Sequence, residues 1–293
     1  MGIQRYWDCA RLNARVLRLL LTGRWLGREA VARSYDRLAV AYDEAWLVHL
    51  QATTERLLAM LPEALPRQGV ILDLGCGTGF TCRWLARKYP SREIHACDIS
   101  GGMIKEAKRL HPPTKISWSV ADMLSFLRRQ PDASAALVTA AWSVGYSDYR
   151  RVFREVYRVL RPGGCFAFVV NLADTLAPLR RAFRYCMQAH SDELQCLATF
   201  PFPKDKGAVC DALGHAGFKA MYLIEDGYCP ISPQLTPDGR RLPWLLQTGT
   251  LAGFDAMLPL AEGGAVAETF EARLAADPEP IAHHYALGVE VRL

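Results

Sequence analysis

A glycine-rich turn directly after a short apolar run is the part of this chain best suited to bind a nucleotide-like ligand. The run begins at Val70 and contains Asp73, and Gly75, Gly77 and Gly79 follow at alternate positions. Such a turn joins a strand to a helix, and its glycines let the backbone approach a ligand closely. The third glycine comes one residue earlier than in the dinucleotide fingerprint G-x-G-x-x-G, which removes part of the seat of a pyrophosphate at the helix N-terminus. The ligand therefore need not be a dinucleotide.

Three further segments complement this turn. A predicted strand over residues 93–100 contains Asp98, whose ionised carboxylate can accept hydrogen bonds from two ribose hydroxyls. Asp122 follows a third apolar segment, and the sequence Arg-Pro-Gly-Gly at 161–164 precedes a predicted fifth strand over residues 165–170. Together with the glycine turn, these motifs resemble those of the class I S-adenosylmethionine-dependent methyltransferases in order and spacing, across residues 69–171.

The resemblance implies that the cofactor is S-adenosylmethionine. In that family, the acid after the second strand binds the ribose, and the acid of the third motif or its neighbouring backbone meets the adenine amino group. For each motif alone an ordinary structural role is the alternative, such as a helix N-cap for Asp98. The cofactor-binding residues that the resemblance predicts are Asp73, Gly75, Cys76, Gly77, Gly79, Asp98, Ile99, Met103, Ala121, Asp122, Met123 and Ala141.

The fold expected from the resemblance is α/β and Rossmann-like. It comprises a seven-stranded, mostly parallel sheet with helices on both faces, an N-terminal helical lid and C-terminal cap insertions. Residues 1–45 are predicted to be a basic helical extension and lid, and residues 46–293 the methyltransferase domain. Helices are predicted over residues 48–65 and 243–258, and a strand over residues 219–224. The last strand is expected at residues 283–292, about 55 residues later than in typical family members. Because long structureless loops are uncommon in compact domains, folded insertions are predicted at about 172–203 and 226–280, as a substrate cap, a second packing layer or a dimer arm.

The acceptor side of the site is less well defined. Tyr35 and Tyr42 are seven residues apart and would share one face of a helix. Their segment resembles the lead-in of methyltransferases that act on quinones and on the malonyl thioester of biotin synthesis, where it covers the cofactor; simple docking of an amphipathic helix is the alternative. Residues after the fourth and fifth strands lie where open α/β sheets bind ligands. The predicted substrate-binding residues are Tyr35, Tyr42, Trp142, Tyr146, Asn171 and His190.

No catalytic base can be assigned from the sequence. An oxygen or carbon acceptor needs a base, whereas an amine needs only a dry pocket. The nine cysteines and the histidines have no spacing typical of a metal site, so no metal is expected. Candidate bases are His49, His190, His215, His283 and His284, while His95 and His111 are poorer candidates because of their positions.

The positive charge is concentrated at the N-terminus. Residues 1–33 hold seven arginines and two acids, whereas the remaining residues hold 28 basic and 28 acidic side chains. One interpretation is a solvated helix face. The alternatives are contact with a membrane surface, with an acidic carrier or, least favoured, with a nucleic acid. The apolar run at 16–21 is too short to span a bilayer and lacks a signal-peptide cleavage site, which predicts a cytoplasmic protein. The oligomeric state is left open.

The predicted function is transfer of a methyl group from S-adenosylmethionine to a small, apolar or aromatic metabolite by in-line displacement. Two alternatives stay open. One keeps the chemistry but places the acceptor on an acyl carrier protein, and the other is a scaffold that binds the cofactor without turnover, because a fold and a cofactor site do not prove catalysis.

Overall fold

The computed structural model describes residues 2–111, 115–219, 223–261 and 263–293. The α-helices are α1 (Gly2–Leu21), α2 (Arg28–Leu38), α3 (Val48–Ala59), α4 (Phe80–Lys88), α5 (Gly101–Leu110), α6 (Met123–Arg128), α7 (Tyr149–Val159), α8 (Ala177–Ala189), α9 (Lys206–Ala216), α10 (Leu242–Leu245) and α11 (Ala265–Ala275). The strands are β1 (Val70–Leu74), β2 (Ile94–Asp98), β3 (Ile116–Val120), β4 (Ala135–Ala141), β5 (Leu160–Asn171), β6 (Leu223–Pro230) and β7 (Ala282–Val291).

The seven strands form one sheet in the order β3-β2-β1-β4-β5-β7-β6. The first five pair in parallel, and β7 pairs with β5 in the antiparallel direction. The strand order reverses between β1 and β4, which makes the carboxyl ends of these two strands the expected ligand crevice. The predicted seven-stranded, mostly parallel sheet is confirmed.

The central strands form because they are apolar on both faces. β4 is buried from Ala135 to Ala140, as expected for a parallel strand covered by helices on either side. α7 contributes to one of these layers through a stripe of buried side chains at helical spacing, which includes Val152, Phe153 and Val156. This packing holds the ends of β1 and β4 at fixed positions, where the glycine turn and Trp142 follow.

The chain divides into two compact units. The helical unit comprises residues 1–38, 176–199 and 230–282, and the sheet unit comprises residues 39–175, 200–229 and 283–293. Inside the helical unit, Phe183 of α8 meets Phe254 edge to face at 4.7 Å, and the Arg181 guanidinium donates to both carboxylate oxygens of Asp277 at 2.7 and 2.8 Å. The lid and cap roles of these segments stay predictions.

Three local predictions were wrong. Tyr35 and Tyr42 do not share a helix, because α2 ends at Leu38 and Tyr42 precedes a π-helical turn over Asp43–Leu47. α3 ends at Ala59 and not at residue 65, since a proline at 62 disfavours helical backbone in the residue before it. The helix expected over residues 243–258 is reduced to α10 and a 3₁₀ turn, and Gly253 there has a positive φ of 86°.

The sixth strand also differs from its prediction. It was expected over residues 219–224, of which 220–222 lie outside the described residues, and β6 runs from Leu223 to Pro230. The seventh strand, expected over residues 283–292, is shifted by a single residue at each end.

Candidate active site

The three glycines of the turn have different roles. All three have positive φ, at 66°, 53° and 89° for Gly75, Gly77 and Gly79. A Cβ on Gly75 would lie 2.3 Å from the Cβ of Ser143, and one on Gly79 would lie 2.7 Å from the rings of His111 and Trp118. These two glycines are therefore required by the packing of the protein itself.

The packing of the protein does not explain the remaining glycine, Gly77. A Cβ there would meet only the ring of Tyr42, at an ordinary contact distance of 3.9 Å. The backbone at Gly77 thus borders open space. A ligand can approach the main chain at this residue more closely than at either neighbouring glycine.

Asp98 fixes the turn to the end of β2. One carboxylate oxygen accepts the N–H of Gly77 and the other accepts the N–H of Ser100, each at 2.9 Å. Ser100 in turn caps α5 by accepting the N–H of Met103. The half-buried carboxylate of Asp98 therefore connects the glycine turn to the N-terminus of α5.

Acidic and phenolic groups surround the open side of the turn. The hydroxyl of Thr78 donates to the Asp43 carboxylate at 2.5 Å. Burial, together with Tyr146, Asp98 and Asp43, raises the pKa of Tyr42, so its hydroxyl stays protonated. The two carboxylates make the turn a favourable place for a positively charged ligand group.

Asp73 lies beneath the turn. It is buried, and its carboxylate accepts the hydroxyl of Thr139 at 2.7 Å and the thiol of Cys82 at 3.0 Å. Burial raises its pKa to about 6, because the two hydrogen bonds offset only part of the lost hydration. The side chain therefore supports the end of β1 from the core.

An aromatic cluster lies at the ends of β4 and β7. It consists of Trp46, Trp142, His283 and Tyr285, and the His283 ring lies 5.5 Å from that of Trp46 and 5.2 Å from that of Trp142. The Tyr285 ring meets Trp142 edge on at 5.3 Å. Trp142 has a positive φ of 66°, and its indole N–H donates to the hydroxyl of Thr54 at 3.1 Å. Such strained backbone in a bulky residue is concentrated at binding and catalytic sites.

The two ring nitrogens of His283 differ in their hydrogen bonding. Its Nδ1 lies 3.1 Å from Thr175 Oγ1, which also lies 3.3 Å from Asn171 Oδ1 and accepts the N–H of His284. With the Asn171 amide oriented so that Oδ1 faces Thr175, the Thr175 proton points to that oxygen and His283 Nδ1 donates to Thr175, a tautomer assigned from this hydrogen-bond pattern. Nε2 then carries the lone pair, and it is buried without a hydrogen-bond partner among residues 2–111, 115–219, 223–261 and 263–293.

Burial lowers the pKa of His283 to about 3, which keeps the ring neutral. The cluster therefore offers a hydrogen-bond acceptor in apolar surroundings, with no positive charge on the ring. A bare acceptor of this kind loses the free energy of a missing hydrogen bond unless a ligand supplies a donor.

Comparison with known proteins decides the family. Residues 71–164 match the model of a methyltransferase domain. The malonyl-[acyl-carrier protein] O-methyltransferase of Pectobacterium atrosepticum is 30% identical over 246 residues, which are 81% of this chain and 91% of that protein. The chain belongs to the class I S-adenosylmethionine-dependent methyltransferases.

Other members are more distant or match over less of their length. The protein of the same description from Nitrosospira multiformis is 29% identical over 211 residues, 66% of each chain. In that relative and four others, the chain spans 29% to 66% of their own length. Among solved structures, geranyl diphosphate C-methyltransferase from Streptomyces coelicolor, in complex with S-adenosylhomocysteine, superposes with a TM-score of 0.50 at 17% identity over 83% of this chain and 78% of that one. This likeness shows the shared methyltransferase fold.

The cofactor of this methyltransferase family is S-adenosylmethionine, and the residues of the turn fit it. The open space at Gly77 accepts a ligand next to the main chain, and the carboxylate of Asp98 lies beside that space, where it accepts the N–H of Gly77. The carboxylates of Asp43 and Asp98 match the positive charges of a sulfonium and an ammonium group. Individual contacts with the cofactor stay proposals.

The remaining residues predicted to bind the cofactor differ in their position and in their burial. Asp122 caps α6 by accepting the N–H of Ser125 at 3.1 Å, and the N–H of Ala121 donates to the carbonyl of Asp98 at 2.8 Å. Both lie where β2 and β3 end, as their predicted adenine contact requires. The side chains that are buried are Cys76, Met103 and Met123, and those that are half-buried are Ile99 and Ala141.

The predicted substrate residues fall into both units. Tyr42, Trp142, Tyr146 and Asn171 belong to the sheet unit, whereas Tyr35 and His190 belong to the helical unit, where His190 Nε2 lies 2.8 Å from Thr269 Oγ1. The structure brings Tyr42 to the glycine turn and places Trp142 and Asn171 around His283.

The other candidate bases in the sheet unit have local partners. His215 is exposed and its Nδ1 lies 2.7 Å from the carbonyl of Asp211 in the same helix. His284 lies 2.6 Å from the Asp174 carboxylate and stacks on Tyr228 at 4.3 Å. His49 follows Trp46 in the chain, and burial lowers its pKa.

Sequence reasoning missed several residues of the site. His111 was given low priority, yet its Nε2 lies 3.1 Å from the carbonyl of Thr78 and its ring stacks on Trp118 at 6.1 Å. Asp43 and Trp46 were not selected either. For Trp46 the available signal was its spacing of four residues from Tyr42, because a helical turn places such residues beside one another. Asp43 directly follows Tyr42 in the chain.

In the described part of the chain, no group of three or more histidine, cysteine or acidic side chains could hold a metal ion. Within the same residues, no helix is both long and apolar enough to cross a bilayer.

Proposed function

We propose that this chain transfers the methyl group of S-adenosylmethionine to a small acceptor with an apolar or aromatic body and one O–H or N–H group. The observation that carries this proposal is the buried, unpartnered Nε2 of His283 within the aromatic cluster. When bound, the cofactor would supply an activated methyl group, which bonds to the acceptor oxygen or nitrogen as its bond to sulfur breaks. The proton that the acceptor loses would pass along its hydrogen bond to the Nε2 lone pair of His283. The chain itself has to orient the acceptor and exclude water.

The aromatic cluster suits the body of such an acceptor. Trp46 and Tyr285 are buried and rigidly packed, and Trp142 is half-buried. The strained backbone of Trp142 and its bond to Thr54 fix the position of the indole. Aromatic walls with one polar group are typical of small-molecule sites, in which the polar group sets the orientation.

His283 selects the polar group of the acceptor. Its Nε2 lone pair can accept a hydrogen bond from a hydroxyl or an amine, and this bond directs the acceptor's own lone pairs away from the ring. A carboxylate would instead place one acceptor against another, because the ring is neutral and its proton is on Nδ1. The cluster therefore favours O–H and N–H acceptors over carboxylates.

The cluster is connected to the glycine turn through the chain itself. Trp142 is followed by Ser143, whose hydroxyl donates to the carbonyl of Leu74 at 2.6 Å and whose Cβ packs against Gly75. On the other side, Trp46 lies four residues after Tyr42, which covers Gly77. These contacts support an acceptor and a cofactor that bind side by side.

A second candidate function is O-methylation of an acyl-carrier-bound malonyl group. It is favoured by the relatives, five of which carry that description at 29% to 35% identity. A carboxylate acceptor arrives already deprotonated and does not need His283. This difference separates the two candidates.

The test measures S-adenosylhomocysteine release with simple phenols, arylamines and malonyl-acyl carrier protein as acceptors, for the natural chain, His283→Gln and the control His215→Gln. We expect turnover with a phenol or arylamine, and a fall in kcat/KM of about 10- to 100-fold in His283→Gln, equivalent to one lost hydrogen bond. Cofactor affinity should be unchanged, and His215→Gln should behave like the natural chain.

Three results would contradict the proposal. Turnover with malonyl-acyl carrier protein alone, unaffected by His283→Gln, would establish the second candidate. Phenol or amine turnover that is equally fast in His283→Gln would remove the role of this residue. Cofactor binding without turnover on any acceptor would favour a non-catalytic scaffold.

A further inference from the structure

α1 exposes an unusual amount of apolar surface. The exposed fractions are 72% for Tyr6, 59% for Trp7, 56% for Leu17, 46% for Leu20 and 80% for Leu21. We define these five residues as the α1 surface. Side chains of this size are costly to leave in water, and a contiguous exposed apolar patch marks an interaction surface.

The α1 surface lies on one side of the helix. Tyr6, Leu17 and Leu21 lie within about 60° of one another at 100° per residue, and Trp7 and Leu20 widen the α1 surface to about 140°. The opposite side attaches the helix to its own unit, since Leu19 is buried and the Arg15 guanidinium donates to the carbonyl of Leu194 at 2.6 and 2.9 Å. The apolar stripe is therefore held facing outward.

Basic side chains border this stripe. Arg11 and Arg18 are exposed, seven residues apart and on the same edge of the helix, and Arg24 is exposed just beyond its end. Arg11 is paired with Asp8 at 2.7 Å. Residues 1–33 hold seven arginines and two acids, so the net charge of +5 of the chain is concentrated here.

We propose that the α1 surface docks the protein on an anionic lipid bilayer. Tryptophan and tyrosine beside leucine and arginine are the composition of helices that lie in the membrane interface, with the apolar face inserted and the arginines at the lipid headgroups. A purely electrostatic contact with an acidic surface would satisfy the arginines but would leave the leucines in water. The stripe therefore favours a membrane, and the methyl acceptor can then be drawn from the lipid phase.

The test is flotation of the full-length chain with vesicles of phosphatidylcholine alone and with 30% phosphatidylglycerol. One variant, Leu17→Gln with Leu21→Gln, removes the stripe and keeps the charge, and a second, Arg18→Glu with Arg24→Glu, does the reverse. Leu235→Gln is the control, because Leu235 is also exposed, at 57%, but lies far along the chain from α1. Circular dichroism and S-adenosylmethionine binding verify that each variant folds.

We expect binding to the anionic vesicles that weakens at least tenfold in each double variant and is unchanged in Leu235→Gln. Binding should also fall with salt and be weak on phosphatidylcholine alone. Absence of binding to anionic vesicles would overturn the proposal. Equal binding by the Leu17/Leu21 variant would show purely electrostatic contact and favour an acidic protein partner, and a stable dimer that dissociates in this variant would assign the stripe to self-association.

Discussion

The buried histidine of the aromatic cluster makes a quantitative prediction about stability. His283 has a lowered pKa of about 3 in the folded chain, against 6.5 for a free histidine. As the pH falls below about 6.5, the unfolded chain takes up a proton at this residue and the folded chain does not. The contribution of His283 to the free energy of unfolding is therefore fully present above pH 6.5 and is lost as the pH falls toward 3.

The size of the effect follows from the two pKa values. Each pH unit between them costs about 1.4 kcal/mol of unfolding free energy, so the loss between about pH 7.5 and pH 5 is about 2 kcal/mol. His283→Gln keeps a side chain that can bond to Thr175 and has no proton to gain. The difference in stability between the natural chain and the variant should therefore change by about 2 kcal/mol over this range.

Urea unfolding at the two pH values, followed by tryptophan fluorescence, measures this difference. Trp46 and Trp142 contact His283, so their fluorescence reports on the cluster itself. All other titrating groups are shared by the two proteins and cancel in the comparison. The same pH dependence in both proteins would refute the reasoning, because it would mean that His283 titrates equally in the folded and unfolded chains. His215→Gln serves as the matched control and should follow the natural chain.

Three further predictions concern the cofactor turn. Asp98→Ala should weaken S-adenosylmethionine binding by about 1–3 kcal/mol in calorimetric titration, and equal affinity would remove it from the site. Gly77→Val should abolish binding and strain the turn, because φ there is 53°, but it should destabilise the fold less than Gly75→Val, whose added side chain also meets Ser143. Asp73→Asn should stabilise the chain by up to about 3 kcal/mol at pH 7.5, since the pKa of Asp73 is raised to about 6, and this gain should vanish below about pH 4 where both side chains are neutral.

The sheet and the cofactor turn could be predicted because their signals are local. An apolar run followed by alternating glycines specifies a strand, a turn and a helix whatever surrounds them, and the structure places Gly77 and Asp98 together as the order of motifs required. The sequence does not distinguish the glycines, however. A side chain at Gly75 or Gly79 would clash with Ser143 or His111, which lie 68 and 32 residues further along the chain. Of the three glycines, Gly77 alone borders open space, and this is visible only in the folded structure.

The acceptor side could not be predicted because it depends on long-range packing. Trp46, Trp142 and His283 come from three distant parts of the chain, and no periodicity connects them. Among five candidate histidines, the sequence gives no reason to prefer His283. What separates it is the bond from Nδ1 to Thr175, which fixes the proton and leaves Nε2 bare.

The helical unit was harder to predict for a related reason. Its three segments are separated in the chain by parts of the sheet unit, so the contacts that form it, such as Arg181 with Asp277 and Phe183 with Phe254, join residues 71 to 96 positions apart. Propensity alone suggested one long helix over residues 243–258, whereas Gly249 and Gly253 divide that segment into short turns.

The neutral charge state of His283 favours acceptors that also partition into a lipid bilayer. A histidine kept neutral by burial does not attract a carboxylate, and the aromatic rings around it provide no cationic side chain to pair with one. An uncharged phenol or amine with an apolar body meets both conditions, and such molecules partition into bilayers through the same apolar surface that the cluster would bind. A docking helix that inserts leucine and tryptophan would place the protein where this class of acceptor is concentrated. The two proposals rest on different residues, yet they favour the same chemical class of substrate.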